Sequence, residues 1–352
     1  MVAPARAVTS GPTAAAVERL LAAHALELRA GPLAALPLVG LDYRVTALRD
    51  SEVLAELSYQ IKDFDDYPAV LQRRLTLGAD GRPSAETPAP DSPAAPWDPG
   101  PLGVVTGDRC LVMGAAARDE LTVLAAVADA AVPAVEDLWG TGWADRLVLQ
   151  LPDTEAQFAN LLAVPAGSYQ DIAAVTSAAA GAPVHTPADR VLVNPEAYRQ
   201  LSALGRRVVI THECTHVATR ADTHPWTPLW LSEGAADYTG YLGTGRTARE
   251  IAPELAGDVA AGRLPTALPL DTDFAAGAPA IAQAYELAWL ACDLIARRHG
   301  RPALVELYRA VGAAGPGSGR EQQLDQVFQA RLGYGLAKFT QDWVAETVSQ
   351  LS

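Results

Sequence analysis

Between residues 13 and 30 the apolar side chains Val17, Leu20, Leu21, Ala25 and Leu28 recur at helical spacing, with Glu18 and Glu27 among them. That stripe predicts a helix ending at Gly31-Pro32. The period then falls to two. Asp42 to Leu48 and Val53 to Ile61 alternate around Arg49-Asp50-Ser51 as a hairpin, and Leu71 to Leu77 and Gly103 to Met113 continue the strand-like pattern. Residues 82–101 carry seven prolines among Ala, Ser and Asp and read as a long exposed loop. From Asp119 to Trp139 the spacing is helical again, with Leu121, Leu124, Val127 and Val132 on the apolar side. Arg146 to Leu151 and Arg190 to Asn194 are short β-rich runs, and Ala280–His299, Pro302–Val311 and Glu321–Ser349 read as helices around a glycine-rich turn at 312–319. The expected class is α+β: a tail over 1–12, a small α+β accessory domain over 13–116, and a domain over 117–352 with a small mixed sheet and a helical C-terminal part.

The chemistry is concentrated in His212-Glu213-Cys214-Thr215-His216. Val208-Val209-Ile210 leads into it, and neither Gly nor Pro occurs between Arg206 and Ala221, which predicts a buried helix. Histidines at i and i+4 share one helix face and can reach a single Zn²⁺, with Glu213 directed at its open position. A second helix starts near Pro228 with Thr227 as its N-cap, and it carries Glu233 and Asp237 four residues apart on one face. Residues 217 to 232 separate His216 from Glu233, enough chain to turn and bring Glu233 back as a third ligand. A His₂Glu set leaves one metal position open, as catalytic rather than structural zinc requires. Asp237 is placed to hold the second nitrogen of a ligand imidazole, His212 being the expected one.

The HECTH segment followed by WLSEGAADY resembles the gluzincin metallopeptidases, the group of thermolysin and the zinc aminopeptidases. The resemblance spans residues 118 to 345 and is specific over 206 to 241. It implies a zincin-like fold in which the first helix supplies both histidines and the base and the second supplies the glutamate. It implies that Glu213 takes a proton from water and passes it to the leaving amine, and that a tyrosine or histidine from the helical part stabilises the oxyanion. Tyr285 is the candidate for that donor. It implies also that an extended substrate pairs with an edge strand, for which Val191, Leu192, Val193 and Asn194, or the neighbouring strand, are expected. No glycine-rich amine-binding segment precedes the motif, which favours an endopeptidase over an aminopeptidase. The helix and strands of the N-terminal part resemble nuclear-transport-factor-like or cystatin-like domains, where a packing or spacer role outweighs ligand binding.

Competing readings are narrower. A histidine pair of this kind can lie on a solvated surface, but the apolar flanks and the second motif oppose that here. Asp222 stands six residues after His216, where some metzincins place an acidic ligand. Yet Thr219 occupies the turn-glycine position of that group, and the only methionines, Met1 and Met113, precede the motif. His224, beside proline in a loop, reads as exposed; Tyr238 and Tyr241 read as packing residues, and His24 as structural.

At 352 residues, 49% hydrophobic and 19% charged, the chain suits a globular enzyme of two domains, and the resemblance to metallopeptidases implies a peptide or protein substrate. The net charge of −14, with no basic cluster, opposes nucleic acid or anionic membrane as partners. Cys110, Cys214 and Cys292 are too few for a disulfide framework; a Cys110–Cys292 bridge is conceivable, and three buried thiols is the favoured state. No run of eighteen apolar residues predicts a transmembrane segment. The Ala, Thr, Ser and Pro residues up to Thr13 suit the stub of a removed export segment or anchor, which slightly favours an extracytoplasmic address. Two other function classes remain open: a non-catalytic peptide-binding module on a peptidase scaffold, and a zinc hydrolase of a non-peptide amide or ester.

Overall fold

The computed structural model describes residues 13–170, 172–177, 185–317 and 319–352, so the expected tail over 1–12 lies outside the described residues. Helix α1 (Ala14–Ala30) starts where the Thr13 hydroxyl accepts the Ala16 N–H, and it ends at Gly31. It lays Val17, Leu21 and Ala25 on an antiparallel sheet of β1 (Leu38–Arg49), β2 (Glu52–Ile61), β3 (Ala69–Leu77) and β4 (Pro83–Pro88), paired in that order. Strand β4 lies within the stretch expected to be an exposed loop. Prolines survive in it because it is the sheet's edge, where a missing N–H breaks no second ladder. The segment after it is also held: Ala95 is fully buried, and the Asp98 carboxylate accepts two bonds of 2.8 and 2.7 Å from the buried guanidinium of Arg73.

The second sheet joins β5 (Gly103–Thr106), β6 (Cys110–Gly114), β7 (Leu147–Gln150), β8 (Ala174–Ser177) and β9 (Arg190–Val193) in the order β5-β6-β7-β9-β8. The central β6, β7 and β9 are parallel, while β5 and β8 are antiparallel edges. Helices α2 (Arg118–Trp139) and α3 (Glu155–Leu162) lie in the crossovers. Residues 103–114 therefore belong to this sheet, and the expected domain boundary at 116 falls inside it. A run of strand residues does not name its partner. Strands β6 and β7 are apolar on both faces because both are covered: Leu111, Met113 and Val148 join the core under α1, while Cys110, Val112, Leu147 and Leu149 face the helices.

The rest is helical: α4 (Pro195–Gln200), α5 (Ala203–Ala218), α6 (Leu229–Tyr241), α7 (Ala248–Ile251), α8 (Pro253–Ala260), α9 (Ile281–His299), α10 (Arg301–Ala313), α11 (Arg320–Leu332) and α12 (Leu336–Leu351). The C-terminal stretch read as one helix breaks at Gly333, whose φ of 84° caps α11. Together the elements make a mixed α+β structure.

The two sheets are fastened by a buried ion pair. Asp65, at 0% side-chain exposure, accepts two bonds of 2.8 Å from Arg190 at the head of β9, and also the N–H groups of Ile61 and Ala188. All three cysteines are buried and free, so no Cys110–Cys292 bridge forms. Among the described residues no helix is long and apolar enough to cross a membrane.

Candidate metal centre

Helix α5 begins at Ser202, whose hydroxyl accepts the Gly205 N–H, and buries Val208, Ile210, Thr211, Glu213, Cys214 and Thr215. Helix α6 begins one residue later than expected, with Pro228 at the N-cap position. Thr227 does not cap it; its hydroxyl accepts the His224 N–H at 3.1 Å, closing the preceding turn. Two glycines set how closely α6 lies on its neighbours. A Cβ at Gly234 would stand 2.3 Å from the Ala288 carbonyl oxygen of α9 and 3.0 Å from Cys292 Sγ, and one at Gly240 would stand 2.8 Å from the Val208 carbonyl of α5. With these contacts α6 turns Glu233 and Asp237 toward the histidines of α5.

Nε2 of His212 and Nε2 of His216 are 3.0 Å apart, and Glu233 Oε2 is 3.3 Å from each. Asp237 Oδ1 lies 2.7 Å from His212 Nδ1. A carboxylate only accepts, so Nδ1 carries the hydrogen and Nε2 of the neutral imidazole presents a lone pair. Nε2 of His212, Nε2 of His216 and Oε2 of Glu233 thus converge on one point. Tetrahedral zinc with bonds of about 2.1 Å separates its ligand atoms by about 3.4 Å, close to these spacings, so the donor set fits that ion. The local field attracts positive charge to the same point. Burial opposes a charge on His212, but Asp237, with Glu233, holds its pKa well above the ordinary value. Burial also opposes the charge of Glu233, but His216 and His212 hold its carboxyl far below the usual range. A proton or a cation can meet that demand.

Glu213 stands outside this triangle of ligand atoms. Its Oε2 accepts a 2.6 Å bond from the hydroxyl of Thr176 on β8, and it lines a cleft of about 410 Å³ together with His212, His216, Glu233 and Tyr285. Tyr285 reaches the cleft from α9, its ring 6.3 Å from that of His212 and edge-on to Phe274 at 5.2 Å. Burial, then the carboxylates of Glu233, Asp237 and Glu213, push its pKa far upward, so its hydroxyl keeps its proton.

Of the two strands expected beside the site, it is the neighbour of β9 that borders the cleft. Val191, Leu192, Val193 and Asn194 are buried, and β9 lies between β7 and β8; Asn194 instead caps α4, accepting the Glu196 N–H. The edge is β8, whose Ala174, Val175 and Thr176 line the cleft. Sequence reasoning missed both β8 and Thr176. The only signal was the β-branched pair Val175-Thr176, too short to stand out in an alanine-rich stretch.

The competing residues lie elsewhere. Asp222 pairs with Arg309 at 3.2 Å, and among the described residues the metal-competent group of three is His212, His216 and Glu233. His224 stacks on Trp226 at 4.6 Å, Tyr238 is buried and Tyr241 packs on Trp289. His24 faces Glu86 and Tyr43 in the N-terminal core. No protein-family model matches the chain, and no curated protein matches it.

Proposed function

We propose that the protein is a zinc-dependent metallopeptidase of the gluzincin type, with a zincin-like architecture around its second sheet, and that it acts as an endopeptidase. One observation carries this reading: three converging ligand atoms of His212, His216 and Glu233 share a cleft with a carboxylate, Glu213, that is not among them. Zinc held by these residues would supply Lewis-acid polarisation of a carbonyl and a lowered pKa for water.

The remaining work falls to the chain's own groups. Glu213 accepts a proton from the attacking water and delivers it to the departing nitrogen. Thr176, bonded to Glu213 Oε2, fixes the direction of that carboxylate. Asp237 keeps the hydrogen of His212 on Nδ1 and so leaves Nε2 free to ligate. Tyr285 holds its proton and can donate a hydrogen bond to the substrate oxygen as charge grows there. The outer edge of β8, unpaired among the described residues, offers main-chain groups to an extended substrate, and the cleft lies beside it. A cleft bordered by an edge strand suits the interior of a peptide, which is the ground for preferring an endopeptidase.

The test is metal analysis of the wild type and of Glu213→Gln, followed by digestion of casein and a peptide library. One equivalent of zinc in both proteins, with cleavage by the wild type alone, is the expected result. Zinc in both without peptide cleavage by either would move the reading to a binding module, or to an amide or ester hydrolase if a screen of those substrates responds. A protein that takes up no zinc would overturn the assignment.

A further inference from the structure

A second cavity, of about 430 Å³, adjoins the metal cleft, and Arg220 lines both. The strand wall is shared as well: Ala174, Val175 and Thr176 border the cleft, and Ser177, the next residue of β8, borders the second cavity. Both sheets build it. Ala69 and Leu71 come from β3, Pro93 and Pro96 from the segment after β4, and Leu161 and Leu192 from the far side. These walls are apolar, and the volume is that of a small-molecule site.

Nearly half of its lining residues are polar or charged, and they are unequally satisfied. Arg190 gives both terminal nitrogens to Asp65, so its charge is balanced and only its Nε–H lacks a partner. Such a donor suits a neutral acceptor like a carbonyl. Asp189 differs. Its side chain is 9% exposed, Oδ1 is 3.8 Å from Arg220 Nε and so beyond hydrogen-bond distance, and Oδ2 is buried without a hydrogen-bond partner. Burial outweighs the pull of Arg220, Arg190 and His216 and raises its carboxyl above the ordinary range, while Arg220 pairs with Oδ1 and leaves Oδ2 without a partner. An enclosed carboxylate of this kind is unfavourable until a donor or cation reaches it.

A peptide on the edge of β8 advances about 3.3 Å per residue. Thr176, bonded to Glu213, and Ser177, on the second cavity, are consecutive in that strand. We propose that the cavity is a specificity pocket taking a long side chain with an apolar stem and a cationic end, Lys or Arg, whose charge pairs with Asp189. The stem suits walls of Leu, Ala and Pro, and the cation suits the unpartnered Oδ2 of Asp189. The inference rests on the peptidase reading, and it gives the N-terminal sheet a part in substrate choice.

The test uses the full-length, zinc-loaded Glu213→Gln protein, so that binding is read without turnover. Fluorescein-labelled heptapeptides of Ala, Ser and Gly, each with one Arg, Lys, citrulline or norleucine, are titrated by fluorescence anisotropy. Arg and Lys peptides are expected to bind at least about tenfold more tightly than the citrulline and norleucine peptides. Asp189→Asn is expected to abolish that ratio while leaving the citrulline peptide's affinity in place. Ala69→Trp, which fills the cavity from the other sheet, is expected to weaken every long side chain and gives a second reading should Asp189→Asn fold poorly. Equal binding of Arg and citrulline peptides, or a ratio that survives Asp189→Asn, overturns the pocket and leaves the peptidase reading standing. Failure to bind any peptide overturns both. An Asp189-dependent preference in a protein that cleaves nothing supports the pocket and removes only the catalytic reading.

Discussion

Nδ1 of His212 lies 2.7 Å from Oδ1 of Asp237, one turn beyond Glu233 on the same helix, so a single face of α6 both completes the ligand triangle and orients one of its members. Removing Asp237 leaves the ligands in place but frees the tautomer of His212. Asp237→Ala should therefore weaken zinc binding by about 10- to 100-fold, measured by competition with a chromogenic chelator. Unchanged affinity would reduce Asp237 to a packing role.

Thr176 touches no ligand atom of the triangle, yet its hydroxyl bonds to Glu213 Oε2 at 2.6 Å. Thr176→Val keeps the shape and loses that bond. Zinc content should be unchanged while kcat falls on the order of tenfold to a hundredfold, with a smaller effect on KM. A KM effect alone would place Thr176 in substrate contact and not in positioning Glu213.

At Gly234 an added methyl would meet the Ala288 carbonyl oxygen at 2.3 Å, which is backbone and cannot swing aside. Gly234→Ala should destabilise the protein by about 2 kcal/mol, read from urea denaturation, and should weaken zinc binding because Glu233 is displaced with the helix. An alanine variant as stable as the parent would show that α6 and α9 can separate freely.

Stability should also depend on pH through Glu286 on α9. Burial, with the neighbouring Glu254 carboxylate, pushes its carboxyl up to about 8 from an ordinary 4.5. The folded state thus holds this proton more tightly than the unfolded chain. Its contribution is complete below about pH 4.5 and is lost as pH rises through about 8. Glu254→Gln removes the neighbouring charge, so the fall in Tm between pH 5 and 9 should be shallower than in the wild type. Parallel profiles would exclude the pair as its source.

The site was legible where chemistry demands particular residue types at fixed spacing. Helical period put His212 and His216 on one face and Glu233 and Asp237 on another, and the length of chain between them allowed the two faces to meet. What could not be read was pairing between distant strands. Residues 103–114 look alike whether they extend the first sheet or open the second, and only burial on both faces distinguishes the two. For the same reason the edge strand was left open between two: β9 is the more conspicuous apolar run because it is interior, and its neighbour β8 is inconspicuous because it is an edge. Prolines hid β4, and the unpartnered carboxylate of Asp189 has no sequence signature at all.

Asp65 leaves the ribosome 125 residues before Arg190. Until that arginine is made, the carboxylate that ends fully enclosed must keep its water, and the side of the first sheet that carries it must stay open. The N-terminal strands can therefore pair early but cannot finish, and their completion waits on a contact of long sequence separation, the kind that sets the pace of folding. Of the two sheets, the one made earlier thus waits on the later one for its closure.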